Sequence, residues 1–238
     1  MMKAWEHFFR TPFEPSDFVR FGPLHLGILC LVLLGIIIIW RYNPPWARWV
    51  IWSMQALEQL TLKTWITFVL ADPVYSLPLH TCSMGTLSVL ITLFRPIHFF
   101  NVLVVYYGYF GGVLALIVAT PMDYQFPHLT NITYFLGHTA LLWAATWIHR
   151  NNKGLFSLEN LKKYLIFHNL FLTLALLVDL STGANYAYFN RAPVLSLLFA
   201  SLAKPLYIVL VYAVYNVLPI MIYTIFREDR NHARSSDL

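Results

Sequence analysis

Apolar runs long enough to cross a bilayer recur along the whole chain, and they constrain its fold more than any other feature. A helix needs about 20 mostly apolar residues to span a membrane, and about 17–25 are tolerated. The sequence predicts seven spans, at residues 24–40, 46–70, 79–93, 99–119, 132–148, 164–180 and 195–225. The third is short. The last is interrupted by Lys204-Pro205 and Pro219, so we expect it to start late or to kink.

Composition explains why lipid must surround these runs. Apolar residues make up 58% of the chain and charged residues 11%, whereas a soluble domain carries about 25% charged residues. We therefore predict an all-α integral membrane protein, a single bundle of about seven transmembrane helices. Residues 1–23 would form a polar or interfacial segment, residues 24–226 the transmembrane domain and residues 227–238 a cytoplasmic tail.

The distribution of Lys and Arg predicts the orientation, because cytoplasmic loops are enriched in both. One face would hold most of them: Arg41, Arg48, Arg95, Arg150, Lys153, Lys162, Lys163, Arg227, Arg230 and Arg234. This places the N-terminus outside the cytoplasm and the C-terminus inside it, although Lys3, Arg10 and Arg20 in the N-terminal segment favour the opposite. The basic residues are scattered at span ends, so they suit anionic lipid headgroups and not nucleic acid.

The second span carries a polar stripe. Gln55, Gln59, Lys63 and Thr67 are spaced four apart, and Glu58 lies at the edge of the stripe. Polar residues are costly in hydrocarbon, so the stripe should face the bundle interior. Two interpretations remain open: hydrogen bonds between helices, or a polar cavity for a lipid headgroup.

A cysteine and a histidine stand at the start of the third span. A thiol near a helix N-terminus has its thiolate stabilised by the helix dipole, and a histidine can activate it as a nucleophile. On a regular helix His80 and Cys82 point about 200° apart, so the spacing alone favours a buried thiol beside a capping histidine. Cys30, within the apolar first span, is interpreted as a packing residue.

Further polar residues should reach the same extracytoplasmic end. His138 in the fifth span would lie at a depth similar to that of Cys82, and the sixth span ends in Asp179, followed by Asn185 and Tyr186. We expect Cys82 and His138 to lie within side-chain reach of each other. The histidines lack the spacing of zinc ligands, so no metal or other cofactor is predicted: His80, His98, His128, His138, His149 and His168.

Several motifs resemble those of the YwaF family of bacterial integral membrane proteins, whose eukaryotic relatives are called transmembrane protein 164. These are LPLHTC at 77–82, GYFGG at 108–112 followed by Thr120-Pro121, Gly137-His138, and GANYAY at 183–188. The chain has Arg191-Ala192-Pro193 where a Lys-Pro pair is expected.

The resemblance implies a membrane acyltransferase, here multi-pass in a bacterial plasma membrane. It would move a fatty acyl chain between phospholipids through Cys82, with His138 or His80 as the base. The expected oxyanion donors are backbone N–H groups near Thr81 to Met84 or the Asn185 amide. Phospholipid substrates and membrane lipids are the predicted partners. The expected substrate-binding residues are Asn185, Tyr186, Gln59, Lys63, Glu58 and Asp179.

Two other functions remain open on sequence grounds. A lipid or small-molecule carrier could use Lys63 and Glu58 as its site, and a non-catalytic membrane scaffold would share the helix count. The run of residues 106–112 could line an acyl-chain tunnel, or its glycines could allow helices to pack closely.

Overall fold

The computed structural model describes residues 4–194 and 196–227, and these ranges contain seven long helices and no β-strand. The long helices are α1 (Pro23–Tyr42), α2 (Ala47–Thr64, continued by a π-helical turn over Trp65–Leu70), α3 (Thr81–Phe94), α4 (His98–Val118, with a π-helical turn over Tyr107–Gly112), α5 (Leu129–Asn151), α6 (Leu158–Thr182) and α7 (Lys204–Phe226). Short helices cover Ala4–Phe8, Pro73–Ser76 and Ser196–Ala200, and a 3₁₀ turn covers Tyr186–Tyr188.

Local sequence signals account for the helix ends. A proline in the first turn starts α1 and α7, where its missing N–H is no loss. The Ser157 side chain accepts a hydrogen bond from Asn160 N and caps α6. Gly183 ends α6 with φ 76°, a left-handed conformation that glycine adopts without steric cost. As expected, the last helix starts late, at Lys204.

The long helices run alternately up and down in one bundle. At one end the side chains of Asn43 and Asn151 exchange hydrogen bonds of 2.8 and 3.0 Å, joining the end of α1 to that of α5. At the other end His25 Nε2 bonds to Leu116 O at 2.7 Å, joining the start of α1 to the last turn of α4. We call the first end the basic end, because Arg41, Arg95 and Arg150 lie there, and the second the cavity end.

Among the helices of residues 4–194 and 196–227, four are long and apolar enough to cross a membrane: α1, α4, α6 and α7. α3 has 14 residues, which is too short by that criterion. The seven-span count and the orientation of the termini stay predictions. Most of the predicted cytoplasmic tail, residues 228–238, lies outside the described part of the chain. Cys30 is exposed on the outer face of α1 and does not pack in the core.

The glycines of α4 bring it close to α5. A Cβ on Gly108 would lie 2.5 Å from Ala145 Cβ and 2.8 Å from the backbone oxygen of Leu141, so only glycine fits there. Tyr106 and Tyr107 beside it are fully buried. Residues 106–112 do not line the main cavity of the described residues. The structure therefore supports close helix packing for this run and not the tunnel-wall interpretation.

Candidate functional site

A polar cavity of about 790 Å³ opens at the cavity end of the bundle. Nearly all the candidate site residues line it: Glu58, Gln59, Lys63, His80, Cys82, His138, Asn185 and Tyr186. Asp179 does not. The structure thus brings together side chains from α2, α3, α5 and the turn between α6 and α7.

The start of α3 carries Cys82 deep into this cavity. Residues 95–97 form a short turn between α3 and α4, so both helices leave the basic end at the same level. α3 has 14 residues and α4 has 21. At 1.5 Å per residue, α3 therefore begins about 10 Å short of the point where α4 ends. Non-helical backbone at membrane depth is tolerated where it lines a cavity. Residues 77–80, the non-helical segment that leads into α3 and Cys82, meet this condition because His80 lines the cavity.

The segment before α3 is shaped by its own side chains. The Asp72 Oδ1 atom accepts hydrogen bonds of 3.0 Å from the backbone N–H groups of Val74 and Tyr75, which caps the short helix Pro73–Ser76. His80 is the N-cap residue of α3, but its side chain makes no capping hydrogen bond. Cys82 is the second residue of α3, and the first N–H groups of a helix have no partner within it. The thiol therefore lies where free N–H groups can stabilise a thiolate.

His138 is held in a defined orientation on α5. Its Nδ1 atom lies 2.7 Å from the carbonyl oxygen of Tyr134. A carbonyl can only accept, so Nδ1 carries the proton and Nε2 of the neutral ring keeps its lone pair. The Tyr134 ring packs against the imidazole with centroids 4.5 Å apart, and the Tyr134 hydroxyl is held by Ala115 O at 2.8 Å. Nε2 is therefore available as a base.

His80 occupies a different position. Its ring packs edge-on against Tyr186, with centroids 5.0 Å apart, and lies 6.0 Å from the ring of Tyr188. It lines the same cavity as Cys82. No hydrogen bond joins the Cys82 thiol to either histidine within residues 4–194. Catalytic hydrogen bonds are often long before substrate binds, so this geometry leaves both histidines as possible bases.

The polar stripe of α2 forms another wall of the cavity. Glu58 Oε2 accepts hydrogen bonds from Gln59 Nε2 at 2.6 Å and Gln55 Nε2 at 3.3 Å. Lys63 Nζ donates to Ser76 O at 3.0 Å. In the described part of the chain Lys63 and Glu58 form no ion pair. Gln55 bonds to Thr86 of α3 at 3.1 Å, which confirms a hydrogen bond between helices, while Glu58, Gln59 and Lys63 line the cavity. A headgroup site in this cavity stays a prediction.

Thr67 departs from the predicted stripe and is exposed on the outside of the bundle. The reason is the π-helical turn over Trp65–Leu70. A π-turn forms i→i+5 hydrogen bonds and so contains more residues than an α-turn, which changes which side chains face inward. The spacing of four that places Gln59 and Lys63 in the cavity does not continue to Thr67.

The turn after α6 is a scaffold for one side of the cavity. Asp179 is buried, and its Oδ1 accepts a hydrogen bond of 2.8 Å from Tyr186 N. Asn185 Oδ1 accepts from the backbone N–H groups of Asn190 and Arg191 at 2.9 and 2.8 Å, and its Nδ2 donates to Arg191 O at 3.0 Å. Asp179 and Asn185 thus orient the turn, and the Asn185 amide is engaged within it.

An N-terminal segment that sequence reasoning did not include also lines the cavity, through Phe13, Phe18 and Arg20. It is tied down by Glu14 N, which donates to Asp123 O at 3.0 Å, and by His128 Nε2, which bonds to Arg10 O at 3.0 Å. These contacts join residues more than 100 positions apart, so no local pattern signals them. Tyr188 was also missed as a site residue, although it stands in the GANYAY motif.

Two further kinds of site can be checked against the structure: a glycosylation acceptor and a metal site. Asn131, in a glycosylation-like Asn-Ile-Thr sequence, is buried, and its Nδ2 donates to Tyr124 O at 3.3 Å. It is therefore not accessible as an acceptor. Across residues 4–194 and 196–227, no three His, Cys, Asp or Glu side chains are grouped so as to hold a metal ion.

Comparisons with known proteins give one match. The model of the TMEM164 family matches residues 13–223, which is most of the chain. No curated protein matches, and no solved structure matches.

Proposed function

This chain belongs to the TMEM164 family, and we propose from its cavity that it is a membrane-embedded acyltransferase that moves a fatty acyl chain between phospholipids through Cys82. One observation carries the proposal: Cys82 lies at a helix N-terminus in the same polar cavity as His138, whose Nδ1 is fixed by Tyr134 O. A nucleophile needs an adjacent base, and the base needs a group that orients it. Cys82, His138 and the Tyr134 carbonyl are our candidates for these three roles.

The reaction would proceed in two half-reactions. His138 Nε2, or His80 in its place, takes the proton of the Cys82 thiol, and the sulfur attacks the ester carbonyl of a phospholipid. The resulting tetrahedral species collapses, the carbon–oxygen bond to the glycerol breaks, and the same histidine returns the proton to the lysolipid. The hydroxyl of a second lipid then attacks the acyl-thioester with the histidine again as base. The thiol is regenerated, so no external oxidant or reductant takes part.

The cavity also has features suited to the substrate. Lys63 and Cys82 line the same cavity, so a phosphate held by Lys63 would place its ester chains on the side of the thiol. Gln59 and Glu58 offer hydrogen-bonding groups beside it. Large apolar side chains are exposed on the outer surface of α1 and α7, where acyl chains of surrounding lipid would pack.

The test is to incubate purified protein with a phospholipid carrying a labelled acyl chain and to measure intact mass. We expect an adduct of one acyl group on Cys82, and loss of all transfer in Cys82→Ala. Cys30→Ser is the matched control, because Cys30 is the other cysteine of the chain and faces outward. The Cys30→Ser variant should still form the acyl adduct and should transfer acyl chains at the original rate.

Two outcomes would point elsewhere. A carrier that uses Lys63 and Glu58 would tolerate Cys82→Ala and would lose lipid movement when Lys63 is changed. A scaffold would form no adduct and move no lipid in any variant. Either result would rule out the acyltransferase.

A further inference from the structure

The turn that follows α6 holds a tyrosine in an unusual backbone conformation. Ala187 and Tyr188 have φ values of 46° and 62°, a left-handed region that residues with a Cβ seldom adopt. Two such residues in succession form only when the surrounding structure determines the conformation. Residues of this kind cluster at active sites, where the conformation aims a side chain.

Three hydrogen bonds from outside the turn hold it in place. Tyr186 N donates to Asp179 Oδ1 at 2.8 Å, the Tyr207 hydroxyl donates to Tyr188 O at 2.6 Å, and Lys204 Nζ donates to Phe189 O at 2.7 Å. These partners come from the end of α6 and the start of α7. The position of Tyr188 is therefore set from both flanking helices.

The Tyr188 side chain enters the cavity. It lines the cavity together with Cys82 and His138, and its ring lies 6.0 Å from that of His80. The Cys82 thiol and the Thr120 side chain line the same cavity as its hydroxyl-bearing ring. Burial raises the pKa of Tyr188, so the phenol keeps its proton and can donate a hydrogen bond.

Acyl transfer to a thiol needs such a donor. When the sulfur attacks an ester carbonyl, the π pair moves onto oxygen, and preorganised donors must stabilise that charge. The N–H groups of the first turn of α3, which have no partner within the helix, are candidates for one side of an oxyanion site. The Asn185 amide is already engaged by the turn, because its oxygen accepts from Asn190 N and one of its two N–H groups donates to Arg191 O.

We propose that the Tyr188 hydroxyl is an oxyanion donor of this site and contacts the carbonyl oxygen of the acyl group in both half-reactions. The inference rests on the proposed acyltransferase function. As the carbon–sulfur bond forms, the carbonyl oxygen gains the electron pair and accepts the Tyr188 hydrogen bond. When the tetrahedral species collapses, the pair returns to re-form the C=O bond, and Tyr188 keeps its proton throughout.

The test compares two reactions of the same thiol in Tyr188→Phe. Acylation by labelled phospholipid passes through an oxyanion, whereas alkylation by iodoacetamide displaces iodide and does not. We expect the acylation rate to fall about 100-fold and the alkylation rate to stay unchanged. Tyr212→Phe is the matched control: its ring packs on Phe189 of the same turn, with centroids 5.3 Å apart, but its hydroxyl pairs with Thr173 at 2.9 Å. Both rates should be unchanged in that variant.

A second variant separates loss of the donor from loss of the fold. Tyr188→His keeps an N–H donor at this position and should recover part of the acylation rate. Unchanged acylation in Tyr188→Phe, or acylation and alkylation lost together with thermal stability, would overturn the role of Tyr188. Acyl transfer that survives in Cys82→Ala would instead remove the proposed function itself, so the two failures are distinguishable.

Discussion

The two ends of the bundle differ in how closely their helices pack: they are tightly packed toward the basic end and separated by a cavity at the other. Toward the basic end α4 and α5 touch through glycine, with Gly108 against Ala145 and Leu141. Toward the cavity end the helices stand apart around polar side chains, and α3 starts too late to fill the space. At Gly108 the packed half leaves no room for an added atom, whereas in the cavity half polar groups line open space. Substitutions should therefore damage stability in the first half and chemistry in the second.

The largest effect is expected from His138→Gln in the cavity half. If His138 is the base, its loss should lower turnover about 10²–10⁴-fold, while the midpoint of thermal unfolding changes little. The same substitution at His80 tests the alternative base. Full activity in His138→Gln together with loss in His80→Gln would transfer the role to His80.

In the packed half, Gly108→Ala should reduce stability without any direct effect on the thiol. The new Cβ would meet the backbone of α5, which cannot move aside, and overpacking of this kind costs about 1–3 kcal/mol. Gly111→Ala on the same helix is the control, since nothing lies within 4 Å of its Cβ position. Thermal unfolding in detergent measures both, and equal midpoints for the two variants would contradict the packing argument.

Lys63→Gln should lower the rate of acyl transfer while leaving thermal stability unchanged, as expected for a residue of the cavity half. In the described residues Lys63 donates to a backbone oxygen and forms no direct ion pair with Glu58, so its removal breaks no salt bridge. A hydrogen bond to a charged group contributes about 1.5–3 kcal/mol, and transfer should fall about 10-fold or more. Lys162→Gln, on an exposed position near the basic end, is the control.

A contrary result for Lys63 would have a clear meaning. Lower stability with unchanged specific activity in the folded fraction would show that the lysine stabilises the bundle and does not hold a headgroup.

The smallest expected effect is a pH dependence of folding stability caused by His128, at the edge of the cavity half. Burial lowers the pKa of His128 to about 4, below its usual value of about 6.5. The neutral ring donates to Arg10 O and accepts from Thr130 N. As pH falls from about 6.5 toward 4, the unfolded chain takes up a proton that the folded chain resists, so stability is full above this window and declines within it.

His128→Asn tests this dependence, because asparagine can cap α5 but does not titrate. Its thermal midpoint should fall less between pH 7 and pH 5 than that of the original protein. Parallel falls in both proteins would assign the acid sensitivity to other groups.

Much of the arrangement could be predicted because it depends on local signals. Apolar length predicts the helices, and alternation of the helices brings Cys82, His138 and the turn at residues 183–188 to one end. The depth of Cys82 depends on a helix that begins only at Thr81, after the extended N-cap residue His80. The α-helical repeat correctly predicts that Gln59 and Lys63 face the same side. It fails at Thr67, because the π-turn over Trp65–Leu70 changes the spacing and residue type does not predict such a turn.

Residue type and spacing alone predict the membrane setting, the helices and a thiol, an imidazole and a polar stripe at one end of the bundle. Which polar atoms remain available for hydrogen bonds became clear from the folded structure. Asn185 and Asp179 are engaged in holding a turn, Tyr188 is aimed into the cavity by that turn, and residues 13–20 reach the cavity from the far end of the chain. The reason is that a side chain has a fixed number of donors and acceptors, and many of their partners lie far away in the chain. Residue spacing does not predict those partners.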